Sequence, residues 1–227
     1  MVSLRTEEEQ VAVLKRLWNN YGSALIVGVI LSLLVVFGWR MWKEHAQEQA
    51  YKASALYQQI LDISRKNAAQ PLQGEEAARF DELFSSLKNE FDTSVQSHLA
   101  ALLKAGQAVN GGNLAEARSC LEWILERSPG REIATVTRMR LARVLMEQSP
   151  QDSAEDALNL LHEIEQPGAF KASYEELRGD ILLSLGRHDQ AREAYQLAVD
   201  LGYEKNTVLP LAKLKLNDLG HSVESDN

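Results

Sequence analysis

A run of apolar residues near the start of the chain constrains its fold more than any other feature. Residues 24–39 read ALIVGVILSLLVVFGW, without a charged side chain. With the residues on either side, the run covers about 20 positions, the length that a helix needs to cross a membrane. Aromatic side chains, which favour the membrane interfaces, stand at both ends: Trp18, Tyr21, Trp39 and Trp42. The pattern predicts a transmembrane helix over residues 21–42.

Two other interpretations of this run fit less well. A cleaved signal peptide has a shorter apolar region followed by small residues, whereas here the exit from Phe37 to Lys43 is bulky. The Ala-x-Ala at Ala53–Ala55 lies too far beyond the apolar run to serve as its cleavage site. A buried helix of a globular protein fits less well still, because nothing in this run breaks its apolar character on any face.

The charges beside the run do not decide its orientation. Lys15 and Arg16 precede it and Arg40 and Lys43 follow it, so the positive-inside count is a tie. The short segment before the helix and the long domain after it favour an N-terminus inside the cell. We therefore expect residues 1–20 to be cytoplasmic and the domain of residues 43–227 to lie on the other side.

Residues 1–20 contain the pattern of a short amphipathic helix. Thr6-Glu7-Glu8-Glu9 reads as a capping box, and the stretch Asn19–Gly22 is expected to end the helix before the membrane. Its apolar face comprises Val11, Leu14, Leu17 and Trp18. Such a helix either lies on the membrane surface, in contact with lipid, or serves as a cytosolic docking segment.

Small residues form a ridge within the predicted transmembrane helix. Ala24, Gly28 and Ser32 recur at every fourth position, which places them on one helix face. A ridge of this kind lets a second membrane helix approach closely, although it also occurs by chance.

The rest of the chain predicts an all-α domain. Apolar residues recur at three and four positions, and Gly and Pro separate the helical stretches. Helices are expected at 43–67, 75–90, 94–109, 113–127, 131–147, 153–165, 170–185, 188–201 and 207–219. The short connections predict antiparallel hairpins.

The hairpins repeat. LRGDILLSLGRHDQAREAYQLAVDLG, residues 177–202, looks like a tetratricopeptide repeat, with small Gly179 and Ala191 where two helices touch. A first unit places Ala105, Gly112, Ala117, Leu121 and Pro129 at corresponding positions. A middle unit places Ala142, Ala157, Leu161 and Ile164, with a longer turn between its helices. The fold predicted is a single transmembrane helix followed by a tetratricopeptide-like helical-hairpin solenoid.

Several classes of function have no support in the sequence. The net charge is −8 and the first 42 residues carry four basic and three acidic side chains, which leaves −9 for residues 43–227. Such a domain repels nucleic acid. The five histidines lack metal-ligand spacing, Cys120 is alone, and no nucleotide-binding or hydrolase motif occurs. No cofactor, metal or catalytic residue is expected, and the chain is predicted to bind proteins.

A repeat array binds partners on the inner face formed by the first helix of each hairpin. Repeat position places seven residues on that face: Leu102, Val109, Met139, Arg143, Met146, Glu176 and Asp180. Met139, Arg143 and Met146 are expected to be exposed anchors. The alternative is that the methionines belong to the core.

The chain as a whole resembles the YfgM family, ancillary subunits of the bacterial Sec translocon. The shared segments are EEEQVAVLKRLWNNYGSALIVGVIL, GWRMW, SHLAALLKA, MRLARVL, LRGDILLSLGRHDQAREAY and LAKLKLNDL, which lie along most of the sequence. The long turn of the middle unit and the loop at 65–76 depart from the family pattern.

The resemblance implies a single-pass protein of the bacterial inner membrane with its repeats in the periplasm. It implies association with the SecYEG translocon and with a membrane-anchored periplasmic chaperone of the PpiD type. The protein would assist secretory client proteins that leave the channel. A scaffold for another cell-envelope assembly is the alternative function that the sequence leaves open.

Overall fold

The structure is a computed structural model that describes residues 7–66, 71–204 and 210–224. In these ranges the regular structure is entirely helical, which confirms the predicted all-α fold. The helices are α1 (Glu7–Lys66), α2 (Gly74–Glu90), α3 (Val95–Asn110), α4 (Leu114–Glu126), α5 (Arg131–Gln148), α6 (Ala154–His162), α7 (Lys171–Ser184), α8 (His188–Glu204) and α9 (Pro210–Glu224), with a 3₁₀ turn at Gly168–Phe170. The chain divides into two compact units, Met1–Lys52 and Ala53–Asn227.

The described part of the first unit is helix α1 up to Lys52. The apolar side chains described between Ile26 and Trp42 are all exposed, with Leu34 at 64% and Val35 at 71%. Among the described residues, one helix, α1, is long and apolar enough to cross a membrane. Exposed apolar side chains around an entire helix are stable in lipid and costly in water, so a lipid environment accounts for this part of α1.

The predicted break at Asn19–Gly22 is wrong, because α1 continues through it without interruption. Asparagine and glycine each cost about 1 kcal/mol or less in a helix interior, and none of the four residues is a proline. Helix formation is cooperative, and a spanning segment must satisfy its backbone hydrogen bonds internally. Weak helix formers next to such a segment therefore remain helical. Thr6, the first residue of the expected capping box, lies outside the described residues.

The small-residue ridge is only partly described. A Cβ placed on Gly28 would meet nothing within 4 Å, and the Ser32 hydroxyl donates to the Gly28 carbonyl over 2.8 Å. The side chain of Ala24 lies outside the described part of the structure. Packing of a second helix here stays a prediction.

The second unit is an array of helical hairpins. Helices α3 and α4, α5 and α6, and α7 and α8 pack as pairs, and α9 packs on α8. The first helices also contact one another, α3 with α5 and α5 with α7. The ends observed for α3 to α8 lie within about three residues of those predicted, as is usual for helix boundaries. The largest difference is α9, which ends at Glu224 rather than 219.

Two of the hairpins turn in the same way. Gly112 and Gly186 have φ of +75° and +71°, the left-handed region that glycine adopts without strain. In each turn the amide of the next residue reaches back into the preceding helix: Asn113 N donates to the Ala108 carbonyl over 2.8 Å and Arg187 N to the Leu182 carbonyl over 2.9 Å. This is the Schellman helix ending, and its recurrence supports the repeat register.

The small residues predicted at helix contacts are buried. Ala117, Ala142, Ala157 and Ala191 have no exposed surface. Gly179 is the tightest contact, because a Cβ placed there would lie 2.6 Å from Cε1 of the Tyr195 ring. The repeat register predicted from the sequence is therefore the packing register of the hairpins.

The second unit contains two hydrophobic clusters, which share helix α5. The first cluster contains Ala53 and Ile60 of α1, Phe80, Leu87, Ala101, Leu121 and Ile124, and it includes Leu141 and Val144 of α5. The second contains Leu161, Ile181, Ala191, Tyr195 and Ala212, and it includes Met139, Ala142 and Leu145 of α5. Residues from two faces of one helix thus complete both halves of the domain.

Candidate protein-binding face

The inner face of the repeat array is the side on which α3, α5 and α7 lie next to one another. In repeat arrays the first helices of successive hairpins line a concave surface that can bind a protein segment. The structure places the seven predicted residues on these three helices, but at different depths. Arg143 is exposed, and Val109, Met146, Glu176 and Asp180 are partly buried. Leu102 and Met139 are buried.

The expectation that Met139 is an exposed anchor is wrong, and Leu102 is likewise not available to a partner. Leu102 is 7% exposed and belongs to the first hydrophobic cluster, and Met139 is 4% exposed and belongs to the second. Both stand at the same repeat position, where neighbouring first helices press together, so their side chains fill the space between helices. For Met139, the core alternative is the correct one. Met146 packs against the second cluster while keeping part of its surface accessible.

Asp180 is engaged within the fold. The Tyr195 hydroxyl donates to Asp180 Oδ1 over 2.7 Å, and Lys215 Nζ of α9 lies 2.5 Å from the same oxygen. Burial first, and then the hydrogen bond to Asp180, raise the pKa of Tyr195 well above its usual range. These three side chains join α7, α8 and α9. Asp180 therefore stabilises the C-terminal end of the array within the fold itself.

Unlike Asp180, the α5 residues Arg140 and Arg143 have no oppositely charged partner among the described residues. Arg140 and Arg143 are both exposed, and neither has a carboxylate oxygen within 4.0 Å in the described part of the chain. Arg140 Nη1 donates to the Leu102 carbonyl of α3 over 3.0 Å, which places this guanidinium where α5 meets α3. Partial burial of the guanidinium, followed by the positive charge of Arg143, lowers the pKa of Arg140.

Most other arginines of the second unit are neutralised. Arg138, two residues before Arg140, pairs with Glu163 over 2.9 Å, and Arg118 pairs with Glu122 over 2.7 Å. Further ion pairs join Arg79 to Glu82, Arg127 to Asp92, Arg178 to Glu175, Arg187 to Glu155 and Arg192 to Asp189. Arg140 and Arg143 are therefore two neighbouring cations without a carboxylate partner in the described part of a domain that is acidic overall.

Arg140 was not among the residues predicted from the sequence, because repeat position alone does not place it on the inner face. A signal was present nonetheless. Residues three and four positions from Arg140 on a helix are its neighbours, and here they are Val136, Thr137, Arg143 and Val144, none of them acidic. Arg118, by contrast, has Glu122 four positions on.

Other polar groups of the unit hold helices together away from the inner face. Lys104 of α3 reaches Asp81 of α2 over 2.5 Å and Glu116 of α4 over 3.0 Å. Burial opposes its charge, but the two carboxylates outweigh burial and raise the pKa of Lys104. Among the described residues, no group of three histidine, cysteine or acidic side chains could hold a metal ion.

A second cluster of polar residues surrounds Trp123, whose indole ring lies near two cations. The Arg127 guanidinium lies 4.2 Å and Lys88 Nζ 5.4 Å from the ring centroid. His98 packs edge-on against the same ring at 6.0 Å and is 3% exposed. Burial is the main reason that the pKa of His98 is lowered, and the charge of Arg127 adds to it.

Comparison with known proteins agrees with this architecture. The family model for a tetratricopeptide repeat-like domain matches residues 15–221. The ancillary SecYEG translocon subunit of Escherichia coli (strain K12) is 31% identical over 217 residues, which cover 94% of this chain and 96% of that protein. The chain belongs to the family of ancillary SecYEG translocon subunits.

Further members of the family of ancillary SecYEG translocon subunits match over similar lengths. The protein of Aggregatibacter actinomycetemcomitans is 30% identical over 192 residues, covering 85% of this chain and 88% of the relative. The protein of Haemophilus influenzae is 28% identical over 214 residues, covering 94% and 97%. No solved structure gave a significant match. The family assignment therefore includes the apolar part of α1 as well as the repeats.

Proposed function

We propose that the protein is an ancillary subunit of the Sec translocon in the bacterial inner membrane. The observation that supports this most is the match to ancillary SecYEG translocon subunits over 94% of the chain, because it includes the anchor and the repeats together. Residues 21–42 span the membrane, residues 1–20 face the cytoplasm, and residues 43–227 lie in the periplasm. The anchor contacts membrane lipid.

In this proposal the repeat domain binds a membrane-anchored periplasmic chaperone of the PpiD type and assists secretory client proteins as they leave the channel. The contribution is one of position rather than catalysis. A domain tethered to the membrane meets partners on that membrane at a much higher effective concentration than a free domain does. The inner face of α3, α5 and α7 is the surface on which such a partner would lie.

Photo-crosslinking in living cells tests the partners. A photoreactive amino acid replaces Glu147, which is exposed on α5 beside the inner face. The matched control replaces Glu193, which is exposed on the outer helix α8. We expect adducts with translocon and chaperone subunits from position 147 and few from 193. Adducts with a different envelope complex from position 147 would contradict the proposal.

Proteolysis of spheroplasts tests the topology independently. A protease added from outside is expected to digest residues 43–227 and to leave a membrane-embedded N-terminal fragment. Protection of the repeat domain until the membrane is dissolved would place it in the cytoplasm and overturn the proposed orientation.

A further inference from the structure

Arg140 and Arg143 lie one turn apart on α5, and their like charges repel each other. The surrounding domain has an excess of acidic side chains, with a chain net charge of −8, and most other arginines of the domain form an ion pair with one of them. An unneutralised pair of cations in such a domain is a local electrostatic conflict that a bound anion would relieve. Conflicts of this kind are concentrated at functional sites.

The pair is also prepared to receive a ligand. The bond from Arg140 Nη1 to the Leu102 carbonyl uses one donor and holds the guanidinium against α3. A guanidinium has five N–H donors in a planar fork, so most of those of Arg140 remain available. Arg143 is exposed, and none of the described residues forms a hydrogen bond or an ion pair with its guanidinium. Carboxylates match this fork geometry with two parallel hydrogen bonds.

We propose that Arg140 and Arg143 form a carboxylate-binding site that receives an acidic side chain of an extended partner segment. The proposal rests on the proposed function only in taking the inner face as the surface on which the partner lies. The partly buried Val109 and Met146 belong to the same face by repeat position and would contact apolar residues of that segment.

The charges around the pair select against dense polyanions. Glu147 is exposed four residues after Arg143, and Glu176 stands on the neighbouring helix α7. These carboxylates repel nucleic acid and lipid surfaces rich in phosphate, whose negative charges are closely spaced. A protein segment with one or two acidic residues among apolar ones can place its carboxylate over the arginines and avoid the glutamates. Charge complementarity thus favours a protein partner.

Binding of a defined peptide to the full-length protein in lipid nanodiscs tests the site. The probe is a fluorescein-labelled peptide of Glu, Leu and Ala, compared by fluorescence anisotropy with a second peptide in which Gln replaces each Glu. We expect the acidic peptide to bind about tenfold more tightly or better, since hydrogen bonds between ionised groups are stronger than neutral ones. The preference should weaken as salt is added.

The double variant Arg140→Gln, Arg143→Gln should bind both peptides equally. Arg138→Gln is the matched control, because Arg138 is on the same helix but already pairs with Glu163, and it should keep the preference. Circular dichroism confirms that each variant remains folded. Equal binding of the two peptides by the native protein, or an undiminished preference in the double variant, would overturn the proposal. So would equal loss in Arg138→Gln.

The same experiment separates this inference from the proposed function. A preference that depends on the two arginines, in a protein that crosslinks to no translocon subunit, supports the carboxylate site and refutes the translocon partner. The opposite result is crosslinking to the translocon that the double variant leaves unchanged, together with equal binding of the two peptides. It would support the translocon partner and refute the carboxylate site.

Discussion

Replacing Gly179 by alanine should destabilise the domain, although alanine is the better helix former. The added Cβ would lie 2.6, 2.7 and 3.0 Å from Cε1, Cδ1 and Cζ of Tyr195. The ring is fully buried, and its hydroxyl is held by Asp180, so it has little freedom to move away. Overpacking of this kind costs about 1–3 kcal/mol, and we expect about 3 here. Higher helix propensity offsets about 1 kcal/mol, which leaves a net loss of about 2 kcal/mol.

Urea unfolding of the full chain in mild detergent, followed by circular dichroism, measures this loss. A loss of about 2 kcal/mol is roughly a thirtyfold change in the folding equilibrium. Gly106→Ala is the control, since Gly106 is also inside a first helix but its added Cβ would meet nothing within 4 Å. That variant should be stabilised by about 0.5–1 kcal/mol. If both variants shift in the same direction, the contact between Gly179 and Tyr195 does not determine the repeat packing.

Two further predictions concern the polar groups of the domain. Lys104→Met should lower the free energy of unfolding by about 1 kcal/mol and no more, because Asp81 and Glu116 lose their partner but are both more than a third exposed; an unchanged urea midpoint would contradict this. The lowered pKa of His98 means that the unfolded chain binds a proton first as the pH falls below about 6.5. Stability should therefore decrease between that pH and the lower folded pKa, and His98→Leu should lose this part of the pH dependence. Identical pH profiles for the two proteins would refute the assignment.

The fold could be predicted from the sequence because its signals are local and agree with one another. Gly112 and Gly186 mark turns by requiring a left-handed backbone, and Ala191 and Gly179 mark contacts by their small size. The break expected at Asn19–Gly22 failed since residue propensities are weak compared with the cooperativity of a long helix. Residue propensity determined the local backbone structure only where neither side-chain packing nor the membrane did.

The candidate site could be predicted only in part. Repeat position predicted that Arg143 is exposed, as the structure shows, but it could not tell that Met139 is buried while Met146, seven residues on, stays partly accessible. That difference depends on how closely adjacent hairpins approach, which no local pattern records. Arg140 was missed because its position depends on a bond to a backbone carbonyl 38 residues away.

Helix α5 supplies side chains to both hydrophobic clusters, Leu141 and Val144 to one and Met139, Ala142 and Leu145 to the other. In an array where each hairpin contacts only its neighbours, local opening spreads from one element to the next. Loss of α5 would expose both clusters at once, whereas loss of α9 would expose only the second. Amide hydrogens in α5 should thus be the slowest to exchange with solvent. A partner anchored on this helix would slow opening of the whole domain rather than of one end.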